Sequence, residues 1–410
     1  MTALLLAAAF ALPATARAEV DAVVVRVMRE QHIAGLSLGI ARRGMRSYLR
    51  GYGYRDVRER APADGFTVYR AGSVAKQFTA ALVLNAAREG RLEIERPVAA
   101  YLPQVNGTVG NVPIEHLLTQ TGGVTDESSA YGTSASSPGT WIYSNTNYSL
   151  LGAILERVTG AQFPDLLRRR VTQPLMLEST ACRLSPYAGN VARGYAWNGS
   201  WTAVASDGDL PCSSDGLTTN APDLLVWLEA LRSGRIVSPA SFAAMTTSAK
   251  LPSGIPANYG YGFFITNWFG YAVAEHPGNV PGYSALDALV LRDGLEVAVL
   301  TNAGTVDLTP LAKSVVAILD PPLDRNLSAT VGTPPQNENL RVTAALRALL
   351  QTSGFMPYGT LQSLEFVERS LTATTTHDKY RATFSTGQWW ADVGYDSGGA
   401  IESLSLTPVR

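Results

Sequence analysis

The sequence predicts an α/β protein, more narrowly an α+β one, in which an antiparallel sheet is flanked by N- and C-terminal helices and a helical subdomain is inserted between its strands. Strand-like runs occur early, at 36–41 and 47–54, and return late, between 261 and 301. The intervening region, about 70–250, has helical patterning interrupted by long polar loops. Strands at both ends of this region predict a sheet in which the two ends of the sequence meet.

The first elements are a helix and a hairpin. Residues 20–31 have helix-like patterning, and the two early strand-like runs are joined through Arg43-Gly44, a typical turn sequence. A further helix is predicted just after Ser73, because apolar residues recur at helical spacing over 74–82 and Gly90 supplies a C-terminal stop. Ser73 would then lie at a helix N-terminus.

The late strands and the second half of the chain complete the prediction. Four antiparallel strands are expected at 261–265, 271–275, 283–291 and 296–301. Thr309-Pro310 then begins a closing helix, with Thr309 as N-cap and proline at the first helical position.

A composition change at Asp320-Pro321-Pro322 marks the predicted domain boundary, with the main domain at 19–320 and a small accessory α+β domain at 321–410. In the accessory domain we expect a helix at 337–352 and strands near 361–366, 380–384, 389–393 and 401–407.

The N-terminus resembles a secretory signal peptide. Residues 3–13 are continuously apolar, and small residues stand at Ala16 and Ala18, which predicts cleavage after Ala18 and removal of 1–18. A buried first helix is the alternative interpretation. Export would place the protein outside the cytoplasm, secreted or periplasmic, with no stable membrane anchor once the signal is removed.

Cys182 and Cys212 are the only cysteines. In an oxidising compartment an even pair usually bonds, so a disulfide is expected; a free buried pair is the alternative.

Charge argues against a nucleic-acid partner. The 410 residues have a formal net charge of -1, and no run of Lys and Arg follows a nucleic-acid backbone. Only four histidines are present, His32, His116, His276 and His377, and their spacing does not match a metal site. The sequence therefore predicts neither a nucleic-acid-binding protein nor a metalloenzyme.

One lysine is the most informative residue. Of the 33 basic residues only four are lysine, yet Lys76 stands three positions after Ser73. On a helix, residues at i and i+3 share a face, so the ammonium would lie beside the hydroxyl. A desolvated lysine can lose its proton, whereas arginine cannot, so this pair predicts a nucleophile with its base. The free N–H groups of a helix N-terminus would favour a developing oxyanion at the same place.

Three motifs in order resemble those of the serine β-lactamase and penicillin-binding protein superfamily, and the chain is most similar to its class C branch. They are Ser73-Val74-Ala75-Lys76, Tyr143-Ser144-Asn145 and His276-Pro277-Gly278. The resemblance covers roughly 34–318, and it implies a β-lactamase-like fold for the main domain, a serine hydrolase activity and no cofactor.

The resemblance also implies roles for individual residues. Ser73 would be acylated, Lys76 and Tyr143 would move its proton, and Asn145 would orient Lys76 and the substrate. His276 and Gly278 belong to the third motif, and the backbone N–H groups of Ser73 and Asn279 would form the oxyanion hole. The chemistry agrees, since a serine hydroxyl is a weak nucleophile until a base takes its proton.

The third motif departs from that of relatives that open β-lactams. His276 and Pro277 replace a lysine and a hydroxyl residue, which removes a fixed positive charge and a hydroxyl that would hold a substrate carboxylate. We therefore expect hydrolysis of carboxylic esters or of small peptides and amides, including those of D-amino acids. A D-Ala-D-Ala carboxypeptidase or a weak class C-like β-lactamase is one alternative. A catalytically idle module that binds peptidoglycan or a partner is another.

A second serine motif is interpreted as a strand. Gly35-Leu36-Ser37-Leu38-Gly39 matches the Gly-x-Ser-x-Gly nucleophile elbow of α/β-hydrolases. An elbow needs a helix directly after the serine, but an alternating strand-like run follows instead. Ser37 is therefore predicted to be structural.

Overall fold

The computed structural model describes residues 12–126, 139–183, 189–205, 210–254, 256–320, 340–351, 361–371, 376–385, 387–395 and 401–408. Most of the predicted signal peptide therefore lies outside the described residues, as do residues 127–138, which belong to the middle region in which polar loops are predicted. The chain divides into two compact units: 1–251 with 257–321, and 252–256 with 322–410.

The helices in the described part of the chain are α1 (Ala14–Glu30), α2 (Ala75–Arg88), α3 (Gly107–Gly110), α4 (Ile114–Leu118), α5 (Asn145–Thr159), α6 (Phe163–Leu167), α7 (Gln173–Leu175), α8 (Ala221–Arg232), α9 (Pro239–Met245), α10 (Thr309–Leu319) and α11 (Leu340–Leu350). The strands are β1 (Gly35–Arg42), β2 (Met45–Asp56), β3 (Ala61–Pro62), β4 (Tyr69–Gly72), β5 (Tyr195–Trp197), β6 (Trp201–Ala203), β7 (Leu217–Thr219), β8 (Phe264–Trp268), β9 (Tyr271–Val280), β10 (Tyr283–Val290), β11 (Leu295–Thr301), β12 (Leu361–Leu371), β13 (Thr376–Phe384), β14 (Gly387–Tyr395) and β15 (Ile401–Pro408).

The main sheet joins the two ends of the first unit. Its seven strands run in the order β3-β2-β1-β11-β10-β9-β8, and every neighbouring pair is antiparallel. The early strand β1 pairs with the late strand β11, with Leu38 opposite Val299. The predicted meeting of the two ends in one antiparallel sheet is confirmed.

Each face of this sheet has its own apolar core. Helices α1 and α10 cover one face, where Val24 and Val315 pack with strand residues such as Leu38 and Val299. Helices α2, α5 and α8 lie in the other core, with Leu300 among the strand residues. Because alternate residues of a strand point to opposite faces, one run of apolar residues in β1 and β11 serves both layers.

Two local predictions need correction. The first late strand begins at Phe264 rather than at 261, because Gly262 has φ +80° and its backbone approaches Gln77 too closely for a Cβ. Thr309 is the first residue of the closing helix rather than its N-cap, which is Leu308. The Asp307 carboxylate accepts a hydrogen bond from the Thr309 N–H at 3.0 Å and so satisfies a free amide at the helix start.

The second unit contains a four-stranded antiparallel sheet in the order β12-β13-β14-β15 and helix α11. Its core is separate and includes Val342 and Leu346 from the helix with Tyr380 and Val393 from the strands.

Cys182 and Cys212 form the expected disulfide. Helix α1 runs from Ala14 through the predicted cleavage site, and its buried residues Val20, Val24 and Val27 all follow that site. Among the helices that the structure describes, none is both long and apolar enough to cross a membrane.

Candidate active site

Ser73 and Lys76 meet at the start of α2. Strand β4 ends at Gly72, whose φ of +55° turns the chain toward the helix, and Ser73 lies two residues before the first helical residue. Lys76 is in the first turn, and its Nζ donates to Ser73 Oγ at 2.9 Å. Ser73 is half-buried, whereas Lys76 is fully buried. The nucleophile therefore faces accessible space while its partner is held beneath it.

Two further acceptors hold the Lys76 side chain. Its Nζ donates to Asn145 Oδ1 at 2.6 Å and to the Ser214 carbonyl at 3.0 Å. With Ser73 these account for the three donors of an ammonium group. A neutral amine fits the same place, because two N–H groups then donate and the lone pair accepts from the Ser73 hydroxyl.

Burial changes the proton affinity of Lys76. Desolvation lowers its pKa to about 7, against the opposing charges of Asp215 and Asp126. A sizeable fraction of Lys76 is therefore neutral near pH 7, which a solvent-exposed lysine would not be.

Tyr143 lies over the same lysine. Its ring centroid is 4.8 Å from Lys76 Nζ, and its hydroxyl interacts with the Ser73 side chain. Burial raises the pKa of Tyr143 above its usual value, although the hydrogen bond with Ser73 opposes this change. Tyr143 therefore keeps its proton near neutral pH, and Lys76 is the better placed of the two to accept one.

The N-terminus of α5 carries Asn145 into the site, and Asp126 caps it. The Asp126 carboxylate accepts from Ser144 Oγ at 2.6 Å, from the Thr146 N–H at 2.9 Å and from the Asn145 N–H at 3.1 Å. Burial acts to raise the pKa of Asp126, but these hydrogen bonds outweigh it and the pKa is lowered. A negative charge is thus fixed at the positive end of the helix dipole.

His276 lies in the middle of β9 and is fully buried. Its Nδ1 is 2.7 Å from the Pro277 carbonyl, which can only accept, so Nδ1 carries the proton. Nε2 then accepts from the Tyr259 hydroxyl at 2.9 Å. Burial, together with the charge of Lys76, lowers the pKa of His276 to about 3, so the ring is neutral.

The other residues of the third motif lie against the nucleophile. A Cβ added to Gly278 would be 1.9 Å from the Ala71 carbonyl and 3.2 Å from Ser73 N. A Cβ added to Gly72 would be 2.9 Å from Asn279 N. The backbones of β9 and of the Ser73 turn therefore approach so closely that glycine is needed on both sides. The two amides assigned to the oxyanion hole are brought into one region.

The structure thus brings together all seven predicted residues: Ser73, Lys76, Tyr143, Asn145, His276, Gly278 and Asn279. Ser37 is not among them, because it lies on β1, fully buried, 2.9 Å from the Tyr69 hydroxyl and 2.5 Å from the Asp64 carbonyl that accepts its hydrogen bond. It is structural, as predicted. In the ranges given above no group of three or more His, Cys, Asp or Glu is arranged to hold a metal ion.

Three contributors to the site have no functional signature in the sequence. Ser214 acts through its backbone carbonyl, which has no side-chain signature. Asp126 caps a helix that begins 19 residues later, across a loop. Asp215 belongs to none of the three motifs, although its Oδ2 lies 3.4 Å from Asn145 Nδ2. Only the folded chain places these groups around Lys76.

The chain is similar to known proteins in sequence and in fold. The family model described as Beta-lactamase matches residues 20–318. Among curated proteins, Protein flp of Staphylococcus aureus (strain MW2) is 25% identical over 317 residues, which is 69% of this chain. The chain spans 62% of that relative's length.

Solved structures share the fold. The octameric penicillin-binding protein homologue from Pyrococcus abyssi matches with a TM-score of 0.66 at 22% identity, over 96% of this chain and 98% of its own. The D-amino acid amidase from Ochrobactrum anthropi SV3 matches with a TM-score of 0.64 at 20% identity, over 74% of this chain and 98% of its own.

Proposed function

Since this chain belongs to the beta-lactamase family, we propose that it is a serine hydrolase that cleaves carboxylic esters or small amides and peptides through an acyl-enzyme on Ser73. The observation that carries this proposal is the 2.9 Å contact between Ser73 Oγ and the fully buried Lys76 Nζ. A lysine with its pKa lowered to about 7 is a base at the pH where most enzymes work.

The acylation step follows from these positions. Neutral Lys76 takes the proton of Ser73 as Oγ attacks the substrate carbonyl carbon, and the carbonyl oxygen becomes an oxyanion. The backbone N–H groups of Ser73 and Asn279 would bind that oxyanion. Collapse of the tetrahedral intermediate expels the alcohol or amine, which leaves with a proton, and Ser73 is esterified.

Tyr143 acts as a donor in this scheme. Because burial raises the pKa of Tyr143, its O–H group is retained and can give its proton to the leaving group. Tyr143 takes in exchange the proton that Lys76 removed from Ser73, so Tyr143 ends protonated and Lys76 neutral. A water molecule activated by Lys76 then hydrolyses the acyl-enzyme by the reverse route.

The preferred substrate carries no carboxylate near the scissile bond. His276 is neutral and Pro277 has neither a hydroxyl nor an N–H, so the third motif offers no charge to a carboxylate. Small esters and amides need no such charge. The name of the structurally similar D-amino acid amidase supports amides of D-amino acids as one substrate class to test.

We also propose that the protein is exported and loses residues 1–18. Ala14, Thr15, Arg17, Ala18 and Glu19 are exposed, whereas the residues of α1 that pack into the core begin at Val20. Cleavage after Ala18 would remove one buried core residue, Leu12, which precedes α1, and none of the buried residues of α1. A disulfide is typical of proteins outside the cytoplasm.

The proposal is tested by mass spectrometry with peptide mapping. The protein is exposed in parallel to a short aryl ester, a penicillin and a D-Ala-D-Ala peptide. We expect an acyl adduct from the aryl ester on the peptide that contains Ser73, and none in Ser73→Ala. Ser37→Ala is the matched control, because it removes a buried serine of the competing motif and should keep the adduct.

Other outcomes distinguish the alternatives. An adduct only from penicillin or from the D-Ala-D-Ala peptide would favour the β-lactamase or carboxypeptidase reaction. No adduct and no turnover with any of the three would contradict the hydrolase and favour a binding module.

A further inference from the structure

Asp215 is a carboxylate beside the catalytic pair that none of the three motifs assigns. It follows Ser214, whose carbonyl accepts from Lys76, and it precedes strand β7. Its Oδ1 accepts from Ser214 Oγ at 2.9 Å, and its Oδ2 accepts from Asn145 Nδ2 at 3.4 Å. Asp215 thus contacts both residues that hold Lys76.

The contact with Asn145 decides which way the amide faces. An amide has an acceptor oxygen and a donor NH2 of nearly the same shape, so its orientation depends on its partners. Lys76 needs the oxygen, which lies 2.6 Å from Nζ. An ionised carboxylate can only accept, so Asp215 takes the NH2 end. A flip would place the amide oxygen against the Asp215 carboxylate and the NH2 against Lys76, so Asp215 disfavours it.

The negative charge of Asp215 also interacts with Lys76. Within the described residues, the titratable groups that face this lysine are Asp215, Asp126, Tyr143, Tyr148 and His276. Both tyrosines keep their protons and the histidine is neutral, so the two carboxylates are the charged groups.

The two carboxylates differ in their other partners. Asp126 accepts three hydrogen bonds at the start of α5. Both charges act to raise the pKa of Lys76, and that of Asp215 has the larger effect. Burial raises the pKa of Asp215, and the hydrogen bond from Ser214 and the charge of Lys76 oppose this change. Lys76 and Asp215 therefore stabilise each other's charged forms.

We propose that Asp215 is a positioning residue for the base: its carboxylate orients the Asn145 amide toward Lys76, and its negative charge helps to retain the proton on Lys76 until substrate is present. The inference rests on the proposed function, because it takes Lys76 to be the group that accepts the Ser73 proton.

A direct titration of Lys76 tests the charge effect without any substrate. The chain has only four lysines, Lys76, Lys250, Lys313 and Lys379, so protein labelled with 13C at lysine Cε gives four signals. The Lys76 signal is the one missing from Lys76→Arg. In Asp215→Asn, which keeps the shape but removes the charge, we expect the Lys76 midpoint to fall by about one pH unit.

The matched control is Asp223→Asn. Asp223 is also a largely buried carboxylate whose pKa burial raises, but it bonds Thr180 and the Ser179 N–H and does not act on Lys76. We expect the Lys76 midpoint to stay at the wild-type value in this variant. An unchanged midpoint in Asp215→Asn, or an equal fall in both variants, would overturn the inference.

The rate of Ser73 acylation by an aryl ester separates charge from orientation. In Asp215→Asn the acid limb of the rate should move to lower pH while the high-pH plateau stays near wild type, because asparagine still offers an acceptor to Asn145. In Asp215→Ala the plateau itself should fall by about tenfold, since nothing holds the amide. A plateau that is equal in all three proteins would contradict the orienting role.

Different results would contradict the proposed function and the inference about Asp215. If wild-type Ser73 is never acylated, the proposed function is wrong, and the lysine titration still decides whether Asp215 acts on Lys76. If Ser73 is acylated but neither the titration nor the acid limb responds to Asp215→Asn, only the inference about Asp215 is wrong.

Discussion

Among single residues, the candidate site depends most on Lys76, whose amine must be able to lose and to accept a proton near neutral pH. Its aliphatic stem and its Nζ are fully buried, and the cost of burying a charge lowers its pKa to about 7. Asn145 and Ser214 then hold the amine in place by hydrogen bonds. Burial thus makes Lys76 able to act as a base, and the hydrogen bonds orient its Nζ.

The pH dependence of Ser73 acylation should follow the ionisation of Lys76. Below pH 7 Lys76 is mostly an ammonium and cannot accept a proton, so the rate with an aryl ester should rise with pH around a midpoint of about 7. In Lys76→Arg the charge stays but the base is lost, and we expect the rate to fall by about 100-fold or more at every pH. Stopped-flow measurement of the released phenol from pH 5 to 9 gives both results. Normal turnover by Lys76→Arg would exclude lysine as the base.

At the scale of elements, the site forms where strand β9 crosses the turn between β4 and α2. Gly278 on the strand and Gly72 on the turn let the two backbones approach within contact distance. The nucleophile and the second oxyanion amide therefore come from elements about 200 residues apart in the chain. Their spacing is fixed by backbone packing, which side-chain rotation cannot adjust.

A methyl group at Gly278 should therefore damage catalysis. In Gly278→Ala the new Cβ would be 1.9 Å from the Ala71 carbonyl, so β9 must move away from the Ser73 turn. We expect Ser73 acylation to slow by about 100-fold, as for loss of an oxyanion donor. Overpacking should also lower the free energy of unfolding by roughly 1–3 kcal/mol.

Gly189→Ala is the control for this substitution, since no atom lies within 4 Å of the Cβ it would add. Acylation kinetics and chemical denaturation of both variants give the comparison. A wild-type acylation rate in Gly278→Ala would show that the spacing of β9 and the Ser73 turn does not matter for catalysis.

At the scale of the whole molecule, the main sheet joins the chain ends of the first unit. Helices α1 and α10 share the core on one face, so the start and the end of this unit stabilise each other. Helix α1 contributes Val20, Val24 and Val27, all of which follow the predicted cleavage site. The mature unit would keep these contacts.

Processing and oxidation can be measured on the exported protein. We expect its intact mass to correspond to a chain that begins at Glu19, because the buried residues of α1 begin at Val20 and only Leu12, ahead of the helix, would be lost from the core. Denatured protein should show two thiols only after reduction, since Cys182 and Cys212 are bonded. Protein that retains Met1 and shows two free thiols before reduction would contradict export.

The features that depend on local geometry could be predicted from the order of the residues alone. Ser73 and Lys76 meet because residues at i and i+3 share a helix face, and Arg43-Gly44 joins two alternating runs into a hairpin. The joining of early and late strands also followed from the sequence, since apolar strands must bury their faces together. The three ordered motifs identified the family, which the match over 20–318 confirms.

The surroundings of Lys76, in contrast, could not be predicted before the chain was folded. Asn145 and Ser214 are 69 and 138 residues from Lys76, and no local pattern states that they converge on one amine. Asp215 and Asp126 act through charge and capping across loops, and the pKa of His276 is lowered because the folded chain excludes water from the ring and brings Lys76 near it. Proton affinity depends on desolvation and on neighbouring charges, both of which are properties of packing, so they exist only once the sheet and its helices are assembled.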